Sequence, residues 1–302
     1  MSTQANAMRE SLDSQGVAAD TSITRPFYWS IRRELWENRS IYIAPLAVAV
    51  VCLFGFLIAT MGFALSTPNL DQRRAALEGP YSFVTGVIMG TAFVVSVFYS
   101  LDALHGERRD RSILFWKSLP VSDLTAVLSK LAIPLVILPL LSFAISLATQ
   151  FIMLLLSSVI LLGSGVSIAA LWTQVSFFHV SLVLLYHLLT VHGLWYAPLY
   201  GWLLLVSAWA PRAPFIWAVL PPFVICGVEK IAFNTSYFLA LLQERLVGQG
   251  DAMASHSAPN DFMATLIPEL HFFSTPGLWI GLALAAAFLA AAVRLRRYQG
   301  PI

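Results

Sequence analysis

DALHGERRDRSILFWKSLPVSD, residues Asp102 to Asp123, concentrates charge in a chain that otherwise has little of it. Glu107, Arg108, Arg109, Asp110 and Arg111 stand side by side. An apolar patch of Ile113, Leu114, Phe115 and Trp116 follows, and Lys117 precedes a turn signal at Leu119-Pro120. Long apolar runs flank the segment on both sides. An ionised side chain near the middle of a bilayer costs roughly 2.5–3.5 kcal/mol or more. The segment therefore belongs in water at one membrane face, and the runs around it read as spans. The expected fold is an all-α integral membrane protein.

Composition agrees. The 302 residues are 58% hydrophobic and 11% charged, with a mean hydropathy of +0.75, against roughly 25% charged in globular domains. A net charge of +2 carries no nucleic-acid signature. Cys52 and Cys226 each lie inside an apolar run without metal-type spacing, and read as small buried hydrophobes. Residues 1–24 are polar and small, lack the apolar core of a secretory signal, and read as a disordered tail ahead of one membrane domain over 25–302.

Upstream of the insert, RPFYWSIRRELWENR (25–39) reads as an amphipathic interfacial helix with Pro26 at its first turn. Phe27, Ile31 and Leu35 recur at i, i+4 and i+8 on one face, while Trp29 and Trp36 are of the type that favours headgroup level. Span one is expected over 41–63, span two over 81–101, with a polar loop 66–80 between them. Gly86 and Gly90 form a small-residue pair suited to close helix contact, within the chain or with a second copy.

Downstream, Leu131 to Pro211 has no Asp, Glu, Lys or Arg over 81 residues. As straight helix it would extend about 120 Å, so it must fold back. Gly163-Ser164-Gly165 is the best turn signal, giving span three over 131–160 and span four over 168–207. A further fold-back would make three spans here and reverse everything downstream. Pro134, Pro139 and Pro198 are candidate kinks. Span five, 213–230, is interrupted by Pro221-Pro222 and is expected as a broken element, with a short helix over 231–242 at the far face. Span six, 276–293, ends in Arg294, Arg296 and Arg297. Six spans place both ends on one side. Fourteen of the eighteen Lys and Arg residues then share that side, which the positive-inside bias assigns to the cytoplasm.

No P-loop, H-E-x-x-H, G-x-S-x-G or Cys/His cluster is present, so the chain is not expected to be an enzyme or to bind a cofactor. His179, His187 and His192 do not share one helical face and read as polar lining. Glu229 and Lys230 have two readings: markers of the outer interface, or a gate or partner contact.

Glu107 through Ser122, with Lys130 beyond it, resembles the segment after the second span of ABC-2-type transporter permeases. In that family an acidic–basic stretch precedes an SLPVS-like turn and a lysine opens span three. The resemblance extends from about residue 25 to the end of the chain. It implies six transmembrane helices with an N-terminal interfacial helix and a coupling helix over 103–118 between spans two and three. It implies the permease subunit of an ATP-driven exporter in the bacterial inner membrane, built as a homodimer with two cytoplasmic P-loop ATPase subunits that hold ATP and Mg. Glu107, Arg108, Arg109, Asp110, Arg111, Phe115, Trp116 and Lys117 then become ATPase-coupling residues, and Tyr99 a pathway residue. An amphiphilic or lipid-like substrate suits the aromatic, apolar spans. The alternatives are a secondary transporter driven by an ion gradient, which would show inverted repeats and midplane carboxylates, or a scaffold passing force to a partner.

Overall fold

The computed structural model describes residues 24–64, 70–118, 121–161, 185, 188, 193–247 and 274–302. The expected tail up to residue 23, the Leu119-Pro120 turn, the Gly163–Gly165 turn, the three span-four histidines and the whole 248–273 stretch lie outside the described residues. Among the described residues there are helices and connecting turns but no strand. Five stretches are long and apolar enough to cross a bilayer: Ser40–Thr60, Phe83–Arg109, Asp123–Val159, Pro214–Phe233 and Pro276–Tyr298. This is a multi-pass membrane protein.

Helix α1 (Thr24–Glu37) leads into α2 (Ser40–Ala64), the first span. Helix α3 (Leu70–Asp102) starts well before Tyr81, so the expected polar loop is largely helical. Its Leu, Arg, Ala and Glu residues are strong helix formers, and they carry the helix past Pro80. Gly86 and Gly90 face outward: a Cβ added at either meets nothing within 4 Å. Among the described residues the pair does not draw helices together.

The insert is not one rigid helix. It forms α4 (His105–Arg109) and α5 (Ile113–Ser118), with Arg111 between them in the left-handed region at φ 59°. Helix α6 (Asp123–Ala132) then starts on a Ser122 cap, whose hydroxyl accepts from the Thr125 amide at 3.1 Å. It runs through a π-helical turn (Ile133–Ile137) into α7 (Leu138–Leu161). Pro134, which has no amide hydrogen to donate, sits in that turn, so a widened turn replaces the expected kink.

Of span four, α8 (Gly193–Trp195) and α9 (Ala197–Trp209) are described. Helix α9 is the buried axis of the bundle, with Tyr200, Leu204 and Ser207 fully enclosed. Helix α9 packs along α12 (Pro276–Tyr298), and a Cβ at Gly201 would stand 3.4 Å from Ala285 Cα and carbonyl oxygen, in ordinary van der Waals contact.

Helix α10 (Pro214–Phe233) corrects the expectation of a broken fifth span: both prolines lie inside one continuous helix. Pro222 cannot bond back to the carbonyl of Ala218, and Trp202 Nε1 on α9 donates to that oxygen instead, at 3.1 Å. A neighbouring indole thus supplies the donor that the sequence removes. The break falls later, at Asn234 (φ 49°), before α11 (Tyr237–Val247).

Candidate functional site

The charged ends of α1, α6 and α12 meet the insert at one end of the bundle. Helix α3 stops at Asp102, leaving the amides of Leu104 and His105 without helical acceptors. Ser207 Oγ on α9 accepts both, at 3.0 and 2.9 Å. Arg108 Nη1 donates to the Ala208 carbonyl at 2.5 Å and its Nε to Gly300 at 3.3 Å. Lys117 Nζ donates to the carbonyls of Arg297 (3.3 Å) and Gln299 (3.0 Å). The insert is therefore fastened to α9 and to the chain leaving α12.

Behind these bonds lies an enclosed ionic network. Lys130 Nζ sits 2.8 Å from Glu34 Oε1 and 3.2 Å from Glu107 Oε1. Arg33 Nη2 contacts the same two oxygens at 2.5 and 3.2 Å. Arg296 Nη2 reaches Glu107 Oε2 at 3.1 Å, and its Nη1 reaches Asp123 Oδ1 at 3.5 Å. The Tyr99 hydroxyl donates to Glu34 Oε2 at 2.9 Å. Glu34 is 1% exposed, Lys130 2%, Arg296 5% and Glu107 8%, so these charges are enclosed by protein.

Three carboxylates (Glu34, Glu107, Asp123) balance three cations (Arg33, Lys130, Arg296). Balance matters here because desolvating each ion costs several kcal/mol, which a close, well-bonded partner can offset. Such a network adds little net stability, but breaking one pair leaves a stranded charge. Its effect is geometric: α1, α4, α6 and α12 are locked together, with α3 joined through Tyr99.

Burial alone would raise the Glu34 carboxyl, but Lys130 and Arg33 outweigh it and hold the group below its ordinary value near 4.5. A depressed carboxylate stabilises the fold above its unfolded value, and that contribution disappears as pH falls through the folded value. Thermal unfolding of the detergent-solubilised chain should therefore show stability falling below about pH 4.5. Glu34→Gln should lose the Glu34 share of that acid dependence; an unchanged profile would remove Glu34 from it.

The residues expected to couple to a partner divide by orientation. Glu107 faces inward. Arg108 and Lys117 are engaged by neighbouring carbonyls, and Trp116 lies under the Arg33 guanidinium, 3.7 Å from its ring centroid. Arg109 pairs along the surface with Asp110 and Asp102. Asp110, Arg111, Leu114 and Phe115 face outward, with Leu114 59% and Phe115 60% exposed.

On α1, Ile31 and Leu35 pack against the bundle core and Phe27 is half-buried. Trp29 and Trp36 face outward with the Arg32 guanidinium between them, 5.1 and 4.7 Å from the two ring centroids. Tyr99 is a member of the ionic network. Glu229 caps α11: its oxygens accept from Thr235 Oγ1 and from the Tyr237 and Phe238 amides at 2.7–2.9 Å. Lys230 is exposed.

The network residues Glu34, Lys130, Asp123 and Arg296 were not singled out from sequence as site residues. Lys130 and Arg296 are cations at the edges of apolar runs, which also describes ordinary topology signals. Among the described residues no cluster of His, Cys, Asp and Glu suits a metal ion. No protein-family model matches the chain, and comparisons with curated proteins and with solved structures give no match.

Proposed function

We propose that this chain is the six-span permease subunit of an ATP-driven exporter of the ABC-2 type, with both ends in the cytoplasm of a bacterial inner membrane. It works as a homodimer with two P-loop ATPase subunits that carry ATP and Mg, and it moves an amphiphilic or lipid-like substrate. The observation that carries this reading is the mounting of the insert between α3 and α6. It has an exposed outer face (Asp110, Arg111, Leu114, Phe115) and an inner face clamped through Glu107 to α1, α6 and α12.

That arrangement suits a lever. A push on the outer face reaches several helices together, because the network leaves no loose joint between insert and bundle. The left-handed turn at Arg111 gives the lever two short arms, α4 joined to the network through Glu107 and α5 turning Leu114 and Phe115 outward. The resemblance of the Glu107–Ser122 run supplies the class of motor.

The test is ATP hydrolysis by the complex purified through the tagged full chain from its native membrane. The wild-type preparation should contain a soluble P-loop subunit and hydrolyse Mg-ATP. Phe115→Asp, an exposed change, should lose at least about tenfold of that activity, equivalent to about 1.4 kcal/mol in association, with thermal unfolding unchanged. Full transport without nucleotide hydrolysis would defeat the proposal and favour ion-gradient transport.

A further inference from the structure

Between α1, α5, α6 and α12, beside the ionic network, lies a cavity of about 230 Å³. Trp29, Arg33, Trp116, Lys117, Asp123 and Arg296 are among its lining residues. Three cations thus face one carboxylate. Glu34 and Glu107, which neutralise Arg33 and Arg296, are not among the lining residues. The cavity wall is therefore positive although the network as a whole is neutral.

Two guanidinium groups here have unspent donor capacity. Arg296 Nε is buried without a hydrogen-bond acceptor among the described residues. Arg33 Nε likewise lacks one, its nearest carboxylate being Glu37 at 3.7 Å. The bond from Arg296 to Asp123 is long, at 3.5 Å. Both Nε atoms are themselves enclosed, so an acceptor entering the cavity would meet the positive charge of Arg33, Lys117 and Arg296 and not these two N–H groups.

We infer that this cavity binds the phosphate headgroup of an anionic phospholipid. Guanidinium and ammonium groups together match a phosphate's charge and its several acceptor oxygens. The volume, below the roughly 300–1,000 Å³ of typical small-molecule pockets, admits a headgroup and excludes acyl chains. Position identifies the source. The cavity lies where spanning helices end, next to the exposed Tyr28, Trp29 and Trp36 of α1, residue types that settle at headgroup level. Basic pockets between spanning helices suit such headgroups. The bound lipid would tie α1 and the insert to one leaflet. The inference needs only a membrane-spanning chain and does not rest on the transport reading.

The experiment is native mass spectrometry of the full detergent-solubilised chain, titrated with phosphatidylglycerol or phosphatidylcholine. The first phosphatidylglycerol should bind about tenfold more tightly than phosphatidylcholine, a difference of about 1.4 kcal/mol. Ala126→Phe, which fills the cavity without altering charge, should abolish that preference. Lys117→Gln, at an exposed position, should reduce it about threefold with the chain still folded, and it decides the matter if the bulkier variant does not fold. Equal binding of the two lipids, or a preference that Lys117→Gln leaves undiminished, overturns the inference. Displacement of phosphatidylglycerol by millimolar inorganic phosphate would assign the cavity to a soluble anion and overturn the lipid assignment.

Discussion

Glu107→Ala is expected to be the most damaging single change in the ionic network, costing about 3–5 kcal/mol of stability. One carboxylate meets three cations: Arg33 and Lys130 through Oε1, Arg296 through Oε2. Truncation leaves those three facing Glu34 and Asp123, with the exposed Glu37 3.7 Å from Arg33, in a region where Glu107 itself is only 8% exposed and water cannot readily take its place. At about 4 Å, two unit charges interact with about 4 kcal/mol when the effective dielectric constant is 20. The unpaired excess is therefore not a small perturbation. Glu107→Gln separates charge from shape, since it keeps the side-chain length and one acceptor oxygen. If charge balance governs, Gln should recover less than half of the loss. Removing charge in pairs gives the complementary result. Glu34→Leu with Lys130→Met deletes one anion and one cation, and should cost less than either single change, because neither partner is left stranded. Thermal unfolding of all variants in one detergent gives the comparison. Additive losses would show that the residues act independently.

What was legible beforehand follows from the range of each interaction. The insert was visible because five consecutive charged residues cannot enter hydrocarbon. The packed face of α1 was visible because Ile31 and Leu35 repeat at helical spacing, and the last helix starts at the expected Pro276 but continues past Val293 to Tyr298. The α3 start was misplaced because Pro80 looked like a boundary, whereas strong helix formers precede it. The fifth span looked broken because Pro221-Pro222 removes two helix donors; its continuity depends on Trp202, some twenty residues upstream. The network was hidden for the same reason on a larger scale. Glu34, Glu107, Lys130 and Arg296 lie far apart in sequence, and only folding places their charged ends within contact. A faint local signal existed in Lys130, a cation one residue before a long uncharged run and within the first turns of a helix. That signal cannot name its partners.

Ser207→Ala is expected to cost about 2 kcal/mol or more and to loosen the insert selectively. The Ser207 hydroxyl oxygen accepts the Leu104 and His105 amides, which α3 cannot serve after it ends at Asp102. Leu104 is 3% and His105 6% exposed, so water cannot readily replace the lost acceptor. A buried donor without a partner costs about 1–3 kcal/mol, and here one substitution strands two. Ser100→Ala is the matched control. Its hydroxyl is equally buried and bonds the carbonyl of Ser96 at 2.7 Å within the same helix. That carbonyl keeps its place in the helix ladder, so this variant should lose about 1 kcal/mol or less. Hydrogen exchange distinguishes local loosening from general weakening. In Ser207→Ala the amides of 104–109 should exchange faster relative to those of α9 and α12, while Ser100→Ala leaves that ratio unchanged. In the proposed transporter, Ser207→Ala should also lower transport per ATP hydrolysed, because a lever freed from α9 moves without carrying the bundle. Uniform acceleration across all helices would mean that Ser207 supports the core generally and does not anchor the insert.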